Sequence, residues 1–172
     1  MLQKIKEMLA PKQKKTKLNV GVFSFTGDEG CVITFLEILN YKLDNWNGRV
    51  NFQHVRVMKK MNALDGLDVA FIEGAISNRK ELEKLVEIRN KAKKIVAIGT
   101  CAINGAPSNH RNFFDEEKRK EILPILERFH HLPSVEPIGK YVKVDAEVPG
   151  CPIIEERFVE IMENYIKEFG VE

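Results

Sequence analysis

Cys31, Cys101 and Cys151 each sit in a glycine-containing turn: Gly27-Asp28-Glu29-Gly30-Cys31, Gly99-Thr100-Cys101-Ala102 and Pro149-Gly150-Cys151-Pro152. Three cysteines cannot all pair off internally. In a cytoplasmic chain such thiols are more often buried apolar groups, nucleophiles or metal ligands than disulfides. The repeated turn chemistry decides against mere packing. A glycine beside each cysteine lets the backbone approach a bulky cofactor and lets its amides donate to sulfide.

Soft thiolates select zinc or iron–sulfur clusters. Structural zinc sites usually contain a closely spaced C-x₂₋₄-C or H-x₃₋₅-H pair, which this chain lacks. Single cysteines on three separate loops better suit a cuboidal [4Fe–4S] cluster, which needs four ligands. Asp28, three residues before Cys31, is expected as the fourth. An aspartate in such a turn can equally cap the following helix.

The elements that must position these turns alternate between strand and helix. Expected strands are 18–25 (LNVGVFSF), 50–57 (VNFQHVRV), 67–75 (LDVAFIEGA) and 94–102 (KIVAIGTCA). Helices are expected over 32–43, with Phe35, Leu36 and Leu39 inward, and over 78–93. This βαβ winding predicts an α/β, flavodoxin-like, doubly wound fold with a mainly parallel sheet and helices on both faces. In such sheets functional groups gather beyond the carboxyl ends of the strands. An irregular C-terminal extension follows Cys101. It comprises a loop over 103–114, a charged helix over 115–130 and an irregular segment bracketed by Pro133 and Pro137. A short strand within 140–148 and an amphipathic helix over 153–169 complete it.

Residues 1–17 read as an amphipathic segment and lysine-rich linker, with Met1, Leu2, Ile5, Met8 and Leu9 on one helical face. Residues 18–172 read as the single domain. The 27 basic and 25 acidic residues leave a net charge of +2, which argues against a nucleic-acid partner. No apolar run approaches a membrane span, and the opening residues lack the apolar core of a secretory signal. A cytoplasmic location is expected, with only indirect membrane contact if any. His54, His110, His130 and His131 are expected as ordinary surface or core residues.

Four segments in order, Asp28-Glu29-Gly30-Cys31, Glu73-Gly74, Gly99-Thr100-Cys101-Ala102 and Val148-Pro149-Gly150-Cys151-Pro152, carry a family resemblance. Over roughly residues 18–155 the chain resembles the small subunit of [NiFe] hydrogenases and the related 20 kDa subunit of NADH:quinone oxidoreductases. The resemblance implies that Cys31, Cys101 and Cys151 hold a proximal [4Fe–4S] cluster. The nickel–iron centre would lie in a partner large subunit. Asp28 stands where the family's C-x-G-C motif begins with cysteine, and Glu73 falls where the family carries an acidic residue near the cluster. That residue is either a polar neighbour of the cluster, part of a proton route, or a cap on the next helix. Arg111-Asn112 resembles a pair found in soluble members, and ordinary loop hydrogen bonding accounts for it equally.

Glu29-Gly30-Cys31 departs from the adjacent cysteines of the quinone-reducing relatives, and no cysteine follows Cys151. The resemblance therefore implies one cluster, with electrons leaving through further iron–sulfur or flavin subunits. The function expected is electron transfer within an oxidoreductase. The alternative is a flavodoxin-like binding or assembly module without a cluster. Against flavin, the first loop lacks a Ser/Thr-rich phosphate cradle and presents two acids.

Overall fold

The computed structural model describes residues 16–171. The amphipathic segment expected over 1–17 therefore lies almost wholly outside the described residues.

Apolar runs become the strands β1 (Leu18–Ser24), β3 (Val69–Glu73) and β5 (Lys94–Ile98), the alternating VNFQHV becomes β2 (Val50–Val55), and β7 (Ala146–Val148) joins at one edge. They form one sheet in the order β2-β1-β3-β5-β7. Every pairing in it is parallel. Central parallel strands are covered on both faces, so they read as continuous apolar sequence rather than alternation. In β3, Val69 and Phe71 face one core while Ala70 and Ile72 face the other.

The first core lies under α1 (Gly30–Trp46) and α5 (Glu155–Glu168), where Phe35, Ile38 and Trp46 pack with Phe158 and Met162. Phe71 and Phe158 stack in tilted geometry with ring centroids 4.7 Å apart. The second core lies under α2 (Arg79–Lys91) and centres on Leu85 and Ile88. Each fully buried side chain of this size contributes about 1.5–3 kcal/mol. The flavodoxin-like, mainly parallel architecture is thus the one expected.

Two segments differ from the sequence expectation. The strand expected over 94–102 stops at Ile98, because Gly99 turns into the left-handed region at φ 81° and Gly99–Asn104 form the short helix α3. The stretch around Pro133, expected to be irregular, holds β6 (His131–Glu136), which pairs antiparallel with β4 (Ile76–Asn78). Proline is tolerated there because a two-stranded ribbon leaves half its amides free of the ladder. A 3₁₀ turn at His110–Phe113 and helix α4 (Glu116–Arg128) connect α3 to β6.

Candidate functional site

All five strands of the main sheet point the same way, so the segments that follow them emerge at one edge. Cys31 is the second residue of α1, Cys101 lies in the first turn of α3, Cys151 follows β7, and Glu73 ends β3. The structure brings all five sequence candidates together. Asp28, Cys31, Glu73, Cys101 and Cys151 line one cavity of about 110 Å³. Among the described residues no three His, Cys, Asp or Glu side chains are arranged to hold a metal ion. The thiols border a space rather than meeting at a point.

Hydrogen bonds and one close contact hold the three cysteine turns together. The first amides of α1 have no partner within their own helix. Gly30 N–H instead donates to Asp28 Oδ1 at 2.9 Å, and Cys31 N–H donates to Glu73 Oε1 at 3.0 Å. Asp28 is therefore a local cap through Oδ1, and Glu73 caps α1 rather than the helix that follows β3. Thr100 joins the second turn to the third, its N–H and its Oγ1 each donating to Gly150 O at 2.9 Å. The first and second turns meet at Gly99, where a Cβ would collide with Cys31 Sγ. Only glycine allows both the left-handed φ and this approach.

Burial pushes Glu73 and Cys31 towards their neutral forms. Glu73 is 2% exposed, and Oε2 has no hydrogen-bond partner among the described residues. Desolvation raises its pKa above the ordinary carboxylate range, the Asp28 charge adds to the rise, and the Cys31 amide opposes it. The Cys31 thiol is pushed up to about 12, first by burial and then by the charge of Glu73. Exposure grows across the set from buried Cys31 to half-buried Cys101 and exposed Cys151. The site is closed at α1 and open towards Cys151.

Several residues of this region carried no sequence signal. Ser108 Oγ donates to Cys101 Sγ at 3.2 Å. Thr26 Oγ1 lies 2.6 Å from Ser77 Oγ and donates to Glu81 Oε1 at 2.8 Å, while Ser77 N–H donates to Glu81 Oε2 at 2.7 Å. This network anchors the base of the first turn to β4 and α2. Arg111 and Asn112 do what loop hydrogen bonding would require. Arg111 Nη2 donates to Ser77 O and Leu132 O, and Asn112 exchanges two hydrogen bonds with Val135. The pair therefore pins β6 and does not line the cavity. His54 is a core histidine, 7% exposed and stacked on Phe23 at 4.2 Å. Both rings line a larger cavity of about 780 Å³ beyond the ends of β1 and β2.

Soft thiol donors delivered from three strand ends, with a glycine removing the side chain between two of them, fit a sulfur-ligated cluster. Comparison with known proteins finds subunits of oxidoreductases among those it resembles. The chain is similar to a subunit of the F420-non-reducing hydrogenase of Methanothermobacter marburgensis, 29% identical over 91% of this chain and 56% of that protein. It is similar to the delta subunit of sulfhydrogenase 2 of Pyrococcus furiosus, 28% identical over 90% of this chain and 64% of that one. The chain thus spans less than two thirds of the length of either relative. A chain of the NAD⁺-reducing [NiFe]-hydrogenase in its H₂-reduced state superposes with a TM-score of 0.74 at 27% identity, covering 91% of this chain and 93% of that one. The profile of the NADH ubiquinone oxidoreductase 20 kDa subunit family matches residues 29–165, a span that includes all three cysteines and Glu73. With that match over most of its length, and with hydrogenase subunits among its relatives, the chain belongs to the NADH ubiquinone oxidoreductase 20 kDa subunit family.

Proposed function

We propose that this chain is the electron-relay small subunit of a multi-subunit [NiFe]-hydrogenase, holding one [4Fe–4S] cluster. The observation that carries the reading is the convergence of Cys31, Cys101 and Cys151, from three separate strand ends, on one cavity with Asp28 and Glu73. Bound there, the cluster would exchange single electrons between a nickel–iron site in the large subunit and a further iron–sulfur or flavin subunit.

The chain's own residues supply binding and control. The three thiolates are the soft ligands, and ligation removes their protons, at Cys31 against the burial that raises its thiol to about 12. Asp28 has Oδ1 committed to Gly30, so Oδ2 is the oxygen available as fourth ligand. Glu73 fixes the Cys31 amide and so the direction in which Sγ enters the site. The open side at Cys151 is the face we assign to the large subunit, since cover there would shield the site from oxidants. No helix among the described residues is long and apolar enough to cross a membrane. We place the complex in the cytoplasm, with residues 18–172 as the cluster domain and 1–17 as a separate segment.

The test is anaerobic purification of the native complex, with metal and sulfide analysis and an ultraviolet-visible spectrum. Iron and acid-labile sulfide on this chain, together with a nickel-containing partner, is the expected result. Zinc in place of iron, or a fully active monomer, contradicts it. A cluster-free chain would favour the binding-module alternative.

A further inference from the structure

We propose that Ser108 tunes the reduction potential at this site by donating its hydroxyl proton to Cys101 Sγ. The inference rests on the cluster reading above and adds a residue to it.

Ser108 Oγ has two acceptors at the same distance, Cys101 Sγ and Thr26 O, each at 3.2 Å. A serine hydroxyl carries one proton and can serve one of them at a time. Thr26 O already accepts the Ala75 N–H at 2.8 Å, so its need for a donor is met by the backbone. Cys101 Sγ receives no other hydrogen bond among the described residues. Once that sulfur is a charged ligand, the charge-assisted bond is the stronger of the two, and the proton goes to sulfur.

The loop holds the hydroxyl in place before any cluster arrives. Gly105 N–H donates to Cys101 O at 3.0 Å, Asn109 N–H to Gly105 O at 2.9 Å and His110 N–H to Pro107 O at 3.1 Å. Ser108 is thus carried on a braced turn that starts from the helix bearing Cys101, and half-burial limits competition from water. Hydrogen bonds to cluster sulfurs are among the protein's controls on potential. Reduction adds negative charge, which strengthens a bond donated to sulfur, so Ser108 favours the reduced state and raises the potential.

The experiment compares S108A, S108V and S108T in the anaerobically purified complex. Iron and sulfide are counted, the cluster potential is read by redox titration followed by electron paramagnetic resonance, and the Fe–S stretches are recorded by resonance Raman in H₂O and D₂O. Valine and threonine have the same shape and differ in the hydroxyl. With iron content unchanged, S108A and S108V should shift the potential to more negative values and lose a D₂O-sensitive stretch, while S108T stays with the parent. A full cluster with an unmoved potential in S108A and S108V overturns the proposal, as does a shift shared by S108V and S108T, which would report packing alone. Absence of iron and sulfide from the parent complex overturns the cluster reading itself, a different result from either.

Discussion

Glu73 Oε1, at the end of β3, accepts the backbone N–H of Cys31, near the start of α1, at 3.0 Å across 42 residues of sequence. The bond is buried, so removing its acceptor strands an amide. Glu73→Ala should destabilise the chain by about 1–3 kcal/mol, the usual cost of an unsatisfied buried donor. Glu73→Gln keeps a carbonyl oxygen and should recover most of the loss. Denaturant unfolding of the two variants checks this, and equal losses would mean that packing matters rather than the bond.

Gly99 separates backbone strain from steric overlap when paired with Gly48. Both have left-handed φ, 81° and 88°, but a Cβ at Gly48 meets nothing within 4 Å whereas one at Gly99 runs into Cys31 Sγ. Each Gly→Ala change should cost about 1–3 kcal/mol of backbone strain. Only Gly99→Ala should also lower the iron bound per chain. Unchanged iron in Gly99→Ala would show that the two turns can part without harm.

The ligand set makes its own prediction. Cys101→Ala should lose the cluster, while Ala at exposed Lys120 should leave iron content at the parent level. Asp28→Cys should keep the cluster and shift its potential. Asp28→Ala should yield three-iron species or cluster loss. If both Asp28 variants match the parent spectrum and potential, the carboxylate serves only Gly30, and Glu29 or Glu73 is the next ligand to test.

His54 gives the fold an acid-sensitive element away from the thiols. Burial holds its pKa below the ordinary 6.5. At about pH 8 the imidazole is neutral in both folded and unfolded chains and costs nothing. As pH falls through about 6.5 the unfolded chain takes up the proton first, so stability declines until the lower folded pKa is passed. His54→Phe keeps an aromatic ring against Phe23 and should flatten that part of the profile. Denaturation midpoints at about pH 8 and about pH 5 read the difference, and parallel profiles for parent and variant would refute it.

The strand and helix alternation was legible because each central strand is buried on both faces. LNVGVFSF read as a strand to within one residue, whereas the reading of KIVAIGTCA ran past Ile98 into the helix that starts at Gly99. The cysteine turns were legible for a local reason, since a glycine stands one or two positions before each cysteine. β6 was not. Its Pro133 argues against a strand, and its pairing with β4 joins residues as far apart as Ile76 and Glu136, which no local pattern reports. Helix α3 has six residues, too few to show a helical period. The Ser108–Cys101 bond spans seven residues, from α3 into the irregular loop after it, and the Glu73 cap reaches 42 residues to Cys31, so periodicity had no access to either. Asp28 was read from spacing as a ligand or a cap, and the structure shows the cap, with Oδ1 accepting from Gly30 N–H.

The place of β7 late in the sequence bears on when the site is complete. Cys151 follows β7, the last strand among the described residues, which joins the sheet by pairing with β5 through Val96, Ala97 and Ile98. Until that edge is in place the site has two of its three thiols, and Thr100 lacks the Gly150 carbonyl that both its donors engage. A nascent chain released or cleaved before residue 151 would be a poor recipient for cofactor delivery. Under the proposed function, loading of the site would also report on that edge, favouring molecules in which β7 has docked on β5.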